Sequence, residues 1–392
     1  MPSRLVTILS AMLLCHTVVA QQYRYATDFT LSDRNFADTI YIEVEQERIV
    51  IPVDIDGRRY RFLFDTGASM GAVYAGSEVP YDGELGYIRS DDANGRSRRM
   101  RVLRLPPLRI GSLEITDYPA TVIDNRLLRG GLDGIIGFDI VSKGLLCKID
   151  LQNRRLILTD RRRHFDHEDG YRLRYHTVMH VPYIVVSPFA YCRDDAAIDT
   201  GSVPLYSMSR DSYLDFVSDH EPMVTTQTEG HAIGQRAIGV YGTERLDTIA
   251  FLSLQRLKLG NYSFHELHCN TSTGHSRLGT RLLKYGTLTF DPRRRCVTFL
   301  PYDRSASFTV VANRQIQIAF VPQGAVPTIG LVREGSDAYA KGIRRGDVIL
   351  SIDGQPILDF RQLLRFPFSE GTVYTFRLRD VNGVEKTVCT ER

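Results

Sequence analysis

Phe62-Leu63-Phe64-Asp65-Thr66-Gly67-Ala68-Ser69 is the stretch that decides the fold: an apolar strand that runs into an aspartate and then a tight polar turn. The same device returns at Ala196-Ala197-Ile198-Asp199-Thr200-Gly201-Ser202. In both, the strand fixes the position of the carboxylate, the glycine permits a turn that a Cβ would crowd, and the hydroxyls can hold the carboxylate. One Asp-Thr-Gly arises often by chance. Two copies, each ending an apolar strand and each followed by the same further landmarks, carry far more weight. A pair of carboxylates so placed is what acid–base activation of a water requires.

The landmarks repeat outward from both aspartates. Before the first, Ile49, Ile51, Val53 and Ile55 alternate with other residues, the period of a half-buried strand, and Asp56-Gly57 marks a hairpin turn. After it, Asn94-Gly95 marks a second hairpin whose tip, residues 90–99, is polar or small and need not be buried. Its place after Asp65 suits a flap over a cleft. Then come Leu108-Arg109-Ile110-Gly111, Ile135-Ile136-Gly137 and a closing strand pair at 145–149 and 155–158. The second half repeats this order with Leu257-Lys258-Leu259-Gly260, Arg277-Leu278-Gly279 and strands at 287–291 and 296–299. This is one β-rich unit, duplicated with loop insertions. A lone lobe would expose its aspartate-bearing edge, so the two are expected to pack across a pseudo-twofold axis.

Composition excludes other classes. The chain of 392 residues is 43% hydrophobic and 24% charged, ordinary for two or three globular domains. A formal charge of +3 is too small to imply nucleic acid, and the runs Arg161-Arg162-Arg163 and Arg293-Arg294-Arg295 read as solvated turns. At the N-terminus, Arg4, the apolar residues 5–19 and Val18-Val19-Ala20 form the pattern of a secretory signal cleaved after Ala20. Met12-Leu13-Leu14 lacks the small residue expected before a lipidated Cys15. Cys147, Cys192, Cys269, Cys296 and Cys389 remain, too sparse for a disulfide framework, with no pair at metal-ligand spacing. His164, His167, His176 and His180 cluster with acids between the lobes but match no familiar ligand motif.

After a polar stretch at 303–307 the pattern changes. Strands at 316–321 and 329–332 precede Glu334-Gly335-Ser336 and a short helix. Gly346-Asp347-Val348-Ile349-Leu350-Ser351-Ile352-Asp353-Gly354 gives a buried strand and an Asp-Gly hairpin, and a second helix is expected around 359–365.

The lobes resemble the retropepsin-like aspartic proteases: Asp65-Thr66-Gly67-Ala68-Ser69 and Asp199-Thr200-Gly201-Ser202 match the family's catalytic motif, and Ile135-Ile136-Gly137 its later hydrophobic-hydrophobic-glycine motif. The resemblance implies that Asp65 and Asp199 form a catalytic dyad. It implies also that Thr66 and Thr200 hydrogen-bond across the lobe interface, that Gly67 and Gly201 support the dyad, and that Asn94 and Gly95 lie on a flap. A second flap is expected near 230–234. One departure stands out: Arg277 occupies a position where the family has an apolar residue, and a charge there needs a partner or an exit to solvent. The C-terminal segment resembles a bacterial PDZ domain, most clearly at Gly335-Ser336 and Gly346–Gly354, although Asn313-Arg314-Gln315 lacks the glycine of the usual carboxylate-binding loop.

The expected organisation is mostly β. Residues 1–20 form a signal peptide, 21–162 and 163–302 two retropepsin-like β-barrel lobes in tandem, and 308–392 a PDZ domain. The expected function is an exported, periplasmic or cell-envelope aspartic endopeptidase that needs no cofactor or metal. It acts on a peptide or protein substrate as a monomer, with the PDZ domain docking peptide or gating access; neither nucleic acid nor an integral membrane span is implied. Two other classes compete. One is a non-catalytic envelope scaffold with decayed protease lobes. The other is a serine hydrolase, since Gly67-Ala68-Ser69-Met70-Gly71 fits the nucleophile-elbow spacing; that motif expects an α/β sheet, and Ser69 is better explained as part of the aspartate turn.

Overall fold

The computed structural model describes residues 28–32, 35–311 and 314–392; the expected signal segment and Asn313 lie outside them. The molecule is mostly strand.

In the first lobe the strand Arg58–Asp65 pairs antiparallel with Arg48–Ile55 and parallel with Gly134–Gly137, which places Gly137 opposite Asp65. Gly71–Tyr74 lies on the far side of Gly134–Gly137, so the chain leaving Asp65 must cross over that strand. The turn at 66–70 is thereby pinned above the glycine. The second lobe repeats this with less strand: Asp194–Ile198 runs parallel to Arg277–Leu278, and the Asp199 amide donates to the Leu278 carbonyl at 2.9 Å.

The lobes are joined through a shared sheet. Leu146–Asp150 of the first pairs antiparallel with Gly286–Asp291 of the second, each followed by its own partner strand, Arg155–Thr159 and Cys296–Pro301. Equivalent strands meeting at the centre of one sheet are what a pseudo-twofold duplication requires. Under that sheet a continuous core mixes residues of both lobes, including Phe138, Phe290, Phe299 and Tyr262. The lobes therefore cannot separate without exposing that core.

Two features depart from the sequence reading. Arg210–Thr225 is a helix, capped by Ser209, whose hydroxyl accepts from the Asp211 amide. It is kinked at His220, just before Pro222; Tyr213 and Val224 are buried, and Phe216 and Val217 pack partly buried against the core, a helical spacing that the sequence reading passed over. The polar stretch after Tyr302 leads into a short strand, Ser307–Thr309, that pairs parallel with Tyr262–Ser272 of the second lobe.

The C-terminal domain has a six-stranded sheet and two short helices, Asp337–Ala340 capped by Ser336 and Phe360–Arg365 capped by Asp359. It does not hang free. Val326–Val332 lies against Thr228–Gly234 of the second lobe, the Gln235 amide donates to the Gly330 carbonyl at 2.9 Å, and Ala232, Ile249 and Phe251 pack with Ala319 and Leu331. Gln315 donates to the carbonyls of Leu252 and Cys269, and Gln46 of the first lobe reaches Leu364 at 3.0 Å.

Candidate active site

Side-chain alternation aims the first aspartate. Phe62 and Phe64 point into the core and are fully buried, so Leu63 and Asp65 face the other way, into a cavity. In the second lobe Ala196 and Ile198 are the core side and Asp199 the cavity side.

The two turns hold each other. Thr66 Oγ1 donates to the Ile198 carbonyl at 2.6 Å and accepts from the Thr200 amide at 3.0 Å. Thr200 Oγ1 donates to the Phe64 carbonyl at 2.8 Å and accepts from the Thr66 amide at 2.9 Å. Only a hydroxyl can donate and accept at once in so small a space, which is why threonine follows each aspartate. All four bonds are buried, where an unmade one is expensive.

The carboxylates are cradled by backbone. Asp65 Oδ1 accepts from the Gly67 amide at 2.8 Å and from the Gly201 amide of the other lobe at 3.1 Å. Asp199 Oδ1 accepts from Gly201 at 2.9 Å and Ser202 at 3.1 Å. Neither Gly67 nor Gly201 has a positive φ. The reason for glycine is proximity: a Cβ on Gly67 would strike the Asp199 carboxylate, and one on Gly201 the Asp65 carboxylate. Beneath the turns, Gly137 and Gly279 lie against the Ala68 and Ser202 carbonyls, which accept from the Phe138 amide at 3.0 Å and the Thr280 amide at 2.9 Å. Burial, and then the charge of Asp199 beside it, push the Asp65 carboxyl up to about 7. Two carboxylates this close favour a state in which they share one proton.

The expected flap is a hairpin of Gly83–Asp91 and Ser97–Arg104 with its tip at 92–96. Asn94 is buried, because the second lobe supplies partners for the tip, while Ala93 and Gly95 beside it are exposed. Arg277 Nη2 donates to the Ala93 carbonyl at 2.9 Å, Thr273 Oγ1 to the Asn94 carbonyl at 3.3 Å, and the Tyr241 amide to Asp92 Oδ2 at 3.1 Å. Gly95, with a φ of +70°, allows the reversal. Arg277 is thus the departure resolved: its charge does have a partner, the flap backbone together with Ser272 Oγ at 3.3 Å.

The residues expected in a second flap, 230–234, do not line the cavity. Residues 230–234 belong to the strand Thr228–Gly234, which faces the C-terminal domain; residues 236–241 of the loop that follows it are the ones that line the cavity. That cavity, of about 500 Å³, opens onto both aspartates and the tip of the first flap. Its walls also include Arg48, Tyr74, Arg236 and Arg392, which sequence reasoning missed. Burial pushes the Tyr74 hydroxyl up to about 12. No motif marks these positions, since each reaches the cavity only through tertiary packing. Among the described residues no group of three or more histidine, cysteine or acidic side chains is placed to hold a metal. His176 of the inter-lobe cluster instead faces Asp195 at 3.1 Å. No helix among the described residues is long and apolar enough to cross a membrane.

Residues 51–140 match the family model of an aspartyl protease, and residues 328–366 that of a PDZ domain. The protease match falls within the first lobe. No curated protein matches the chain. Among solved structures, the crystal structure of Basic 7S globulin from soybean is similar at 11% identity and a TM-score of 0.41, over 70% of this chain and 96% of that one.

Proposed function

Starting from a chain that carries an aspartyl protease domain and a PDZ domain, we propose that it is an exported aspartic endopeptidase whose dyad is Asp65 and Asp199. The observation that carries this reading is the reciprocal cradle, which turns two carboxylates from duplicated turns onto one cavity. A water between them gives its proton to the ionised carboxylate as its oxygen attacks the scissile carbonyl carbon. The protonated carboxyl hydrogen-bonds the carbonyl oxygen and passes its proton to it as the tetrahedral diol forms. Collapse breaks the C–N bond: the amine nitrogen leaves with one proton, and the shared proton returns to the dyad. Backbone amides hold the Oδ1 atoms, so the dyad need not reorganise during the step. Asn94 adds a buried side-chain N–H without a partner at the flap tip, a donor for the backbone of a bound peptide.

Duplication supplies both aspartates, so one chain suffices for one site. The docked C-terminal domain serves as a wall and a gate beside the cleft, and its own groove is a docking place for peptide. The N-terminal pattern supports export to the periplasm, the cell envelope or the medium. The test is cleavage of a mixed peptide library across pH, with and without a hydroxyl-bearing transition-state inhibitor of aspartic proteases. Inhibitable cleavage supports the reading; no cleavage at any pH, or cleavage indifferent to the inhibitor, contradicts it.

A further inference from the structure

The cavity that contains the dyad carries arginine on its walls from both lobes, and two of these side chains keep a buried donor unused. Arg236, on the second lobe's loop, is only 10% exposed, and its Nε has no hydrogen-bond partner. The acid within ion-pair distance, Glu244, lies 4.0 Å away; its Oε1 accepts from the backbone amides of Arg236 and Ala237, and its Oε2 is buried without a partner. Burial disfavours the charge on Arg236, Glu244 favours it, and Arg277 adds a second cation nearby that opposes it. Among the described residues Arg277 itself bonds to neutral groups, the Ala93 carbonyl and the Ser272 hydroxyl. On the first lobe's wall, Arg48 likewise has a buried Nε without a partner, and no carboxylate lies within ion-pair distance of it among the described residues.

A buried guanidinium with unmade bonds is costly, and an incoming anion relieves that cost. The acids that share the cavity are already engaged. Each dyad carboxyl has its Oδ1 held by turn amides, both oxygens of Asp92 accept from the Asn94, Arg96 and Tyr241 amides, and Asp91 accepts from the Ser97 hydroxyl. In a cleft that admits peptide, the anion within reach is a side-chain carboxylate of the substrate, whose two oxygens match the fork of a guanidinium.

Resting on the reading of this cleft as a peptidase site, we propose that Arg48 and Arg236 are specificity-determining residues that select a glutamate or aspartate side chain close to the scissile bond. The test uses the full chain and peptide pairs that differ only by glutamate against glutamine at each position around the cleaved bond. The expected ratio of kcat/KM, glutamate over glutamine, is about 10-fold or more at one or more positions, the size of a charge-assisted hydrogen bond. It should shrink with added salt and fall toward one in Arg48→Met or Arg236→Met. Because Arg236→Met strands buried Glu244, it is read beside the double variant Arg236→Met/Glu244→Gln, and Arg48→Met strands no acid. A wild-type ratio near one at every position, or a ratio that none of these variants changes, overturns the proposal. If the wild-type chain cleaves nothing, binding of the same peptides is measured by fluorescence anisotropy. A preference for glutamate that is lost in Arg48→Met keeps the anion site and discards the peptidase reading; equal binding discards both.

Discussion

Replacing Arg277 with leucine puts an apolar residue where the retropepsin-like proteases that the lobes resemble have one, and it should loosen the first flap without unfolding the lobe. The flap tip is held to the second lobe by three hydrogen bonds, from Arg277 to the Ala93 carbonyl, from Thr273 to the Asn94 carbonyl and from the Tyr241 amide to Asp92. The first is part-buried and made by a cation, so its loss is worth about 1.5–3 kcal/mol against roughly 1 kcal/mol for a neutral bond. The open state of the flap should therefore become about 10- to 100-fold more populated. The backbone of Arg277 is bridged to Ser207 independently of its side chain, with the two reciprocal bonds each at 2.9 Å, so the strand beside Asp199 should persist. Hydrogen exchange by mass spectrometry reads this directly. Amides 92–97 should exchange faster by that factor while those of the closing strands Gly286–Asp291 and Cys296–Pro301 do not. Unchanged exchange at the tip would refute the idea that Arg277 latches the flap, and faster exchange everywhere would assign it a purely structural role.

Thr200→Val should destabilise the chain by about 2–5 kcal/mol, because it leaves the buried Thr66 amide and Phe64 carbonyl without partners; chemical denaturation measures it, and a loss under 1 kcal/mol would contradict the cradle. Burial raises Asp65 to about 7 and Asp139 to about 8, each from 3.8, so between about pH 4 and 8 these two groups bind more protons in the native state than in the unfolded one and their contribution to stability should fall as pH rises, against a smaller opposite contribution from His180, which burial lowers. Melting temperatures across that range check the sign, and Asp139→Asn should flatten the upper part of the fall. Removing residues 308–392 should slow cleavage of short peptides as well as long proteins, because it uncovers Ala232, Ile249 and Phe251 and removes support for the loop that carries Arg236; equal short-peptide kcat/KM with and without the domain would limit its role to docking.

The parts of the site that were legible in the sequence are those built from local chemistry. The strand–Asp–Thr–Gly turns, the later glycines and the Asn94-Gly95 reversal follow from steric and hydrogen-bonding demands met within a few residues, and the structure brings these positions together. What could not be read depends on distant partners. The Arg277 charge was legible as an anomaly, but its resolution lies in a flap carbonyl far away in the chain. Arg48 and Arg236 look like ordinary surface arginines until packing turns them into one cavity. The helix Arg210–Thr225 has apolar residues at helical spacing, Tyr213, Phe216, Val217 and Val224, but the polar run around His220 and Pro222 interrupts the pattern. The docking of the C-terminal domain rests on small and apolar residues such as Ala232 and Gly330, whose chemistry alone names no neighbour.

The central claim is that Asp65 and Asp199 act as one unit, and cleavage kinetics of Asp65→Asn, Asp199→Asn and the double variant test it most directly. An amide keeps the carboxylate's shape and its backbone hydrogen bonds but cannot ionise or pass a proton. Each single change should lower kcat/KM by about 100-fold or more, and the double change should cost little beyond either alone. Wild-type activity should be bell-shaped in pH, with a basic limb near 7, where the pair loses its shared proton. A folded Asp199→Asn protein that cleaves peptide at close to the wild-type rate would contradict the dyad outright.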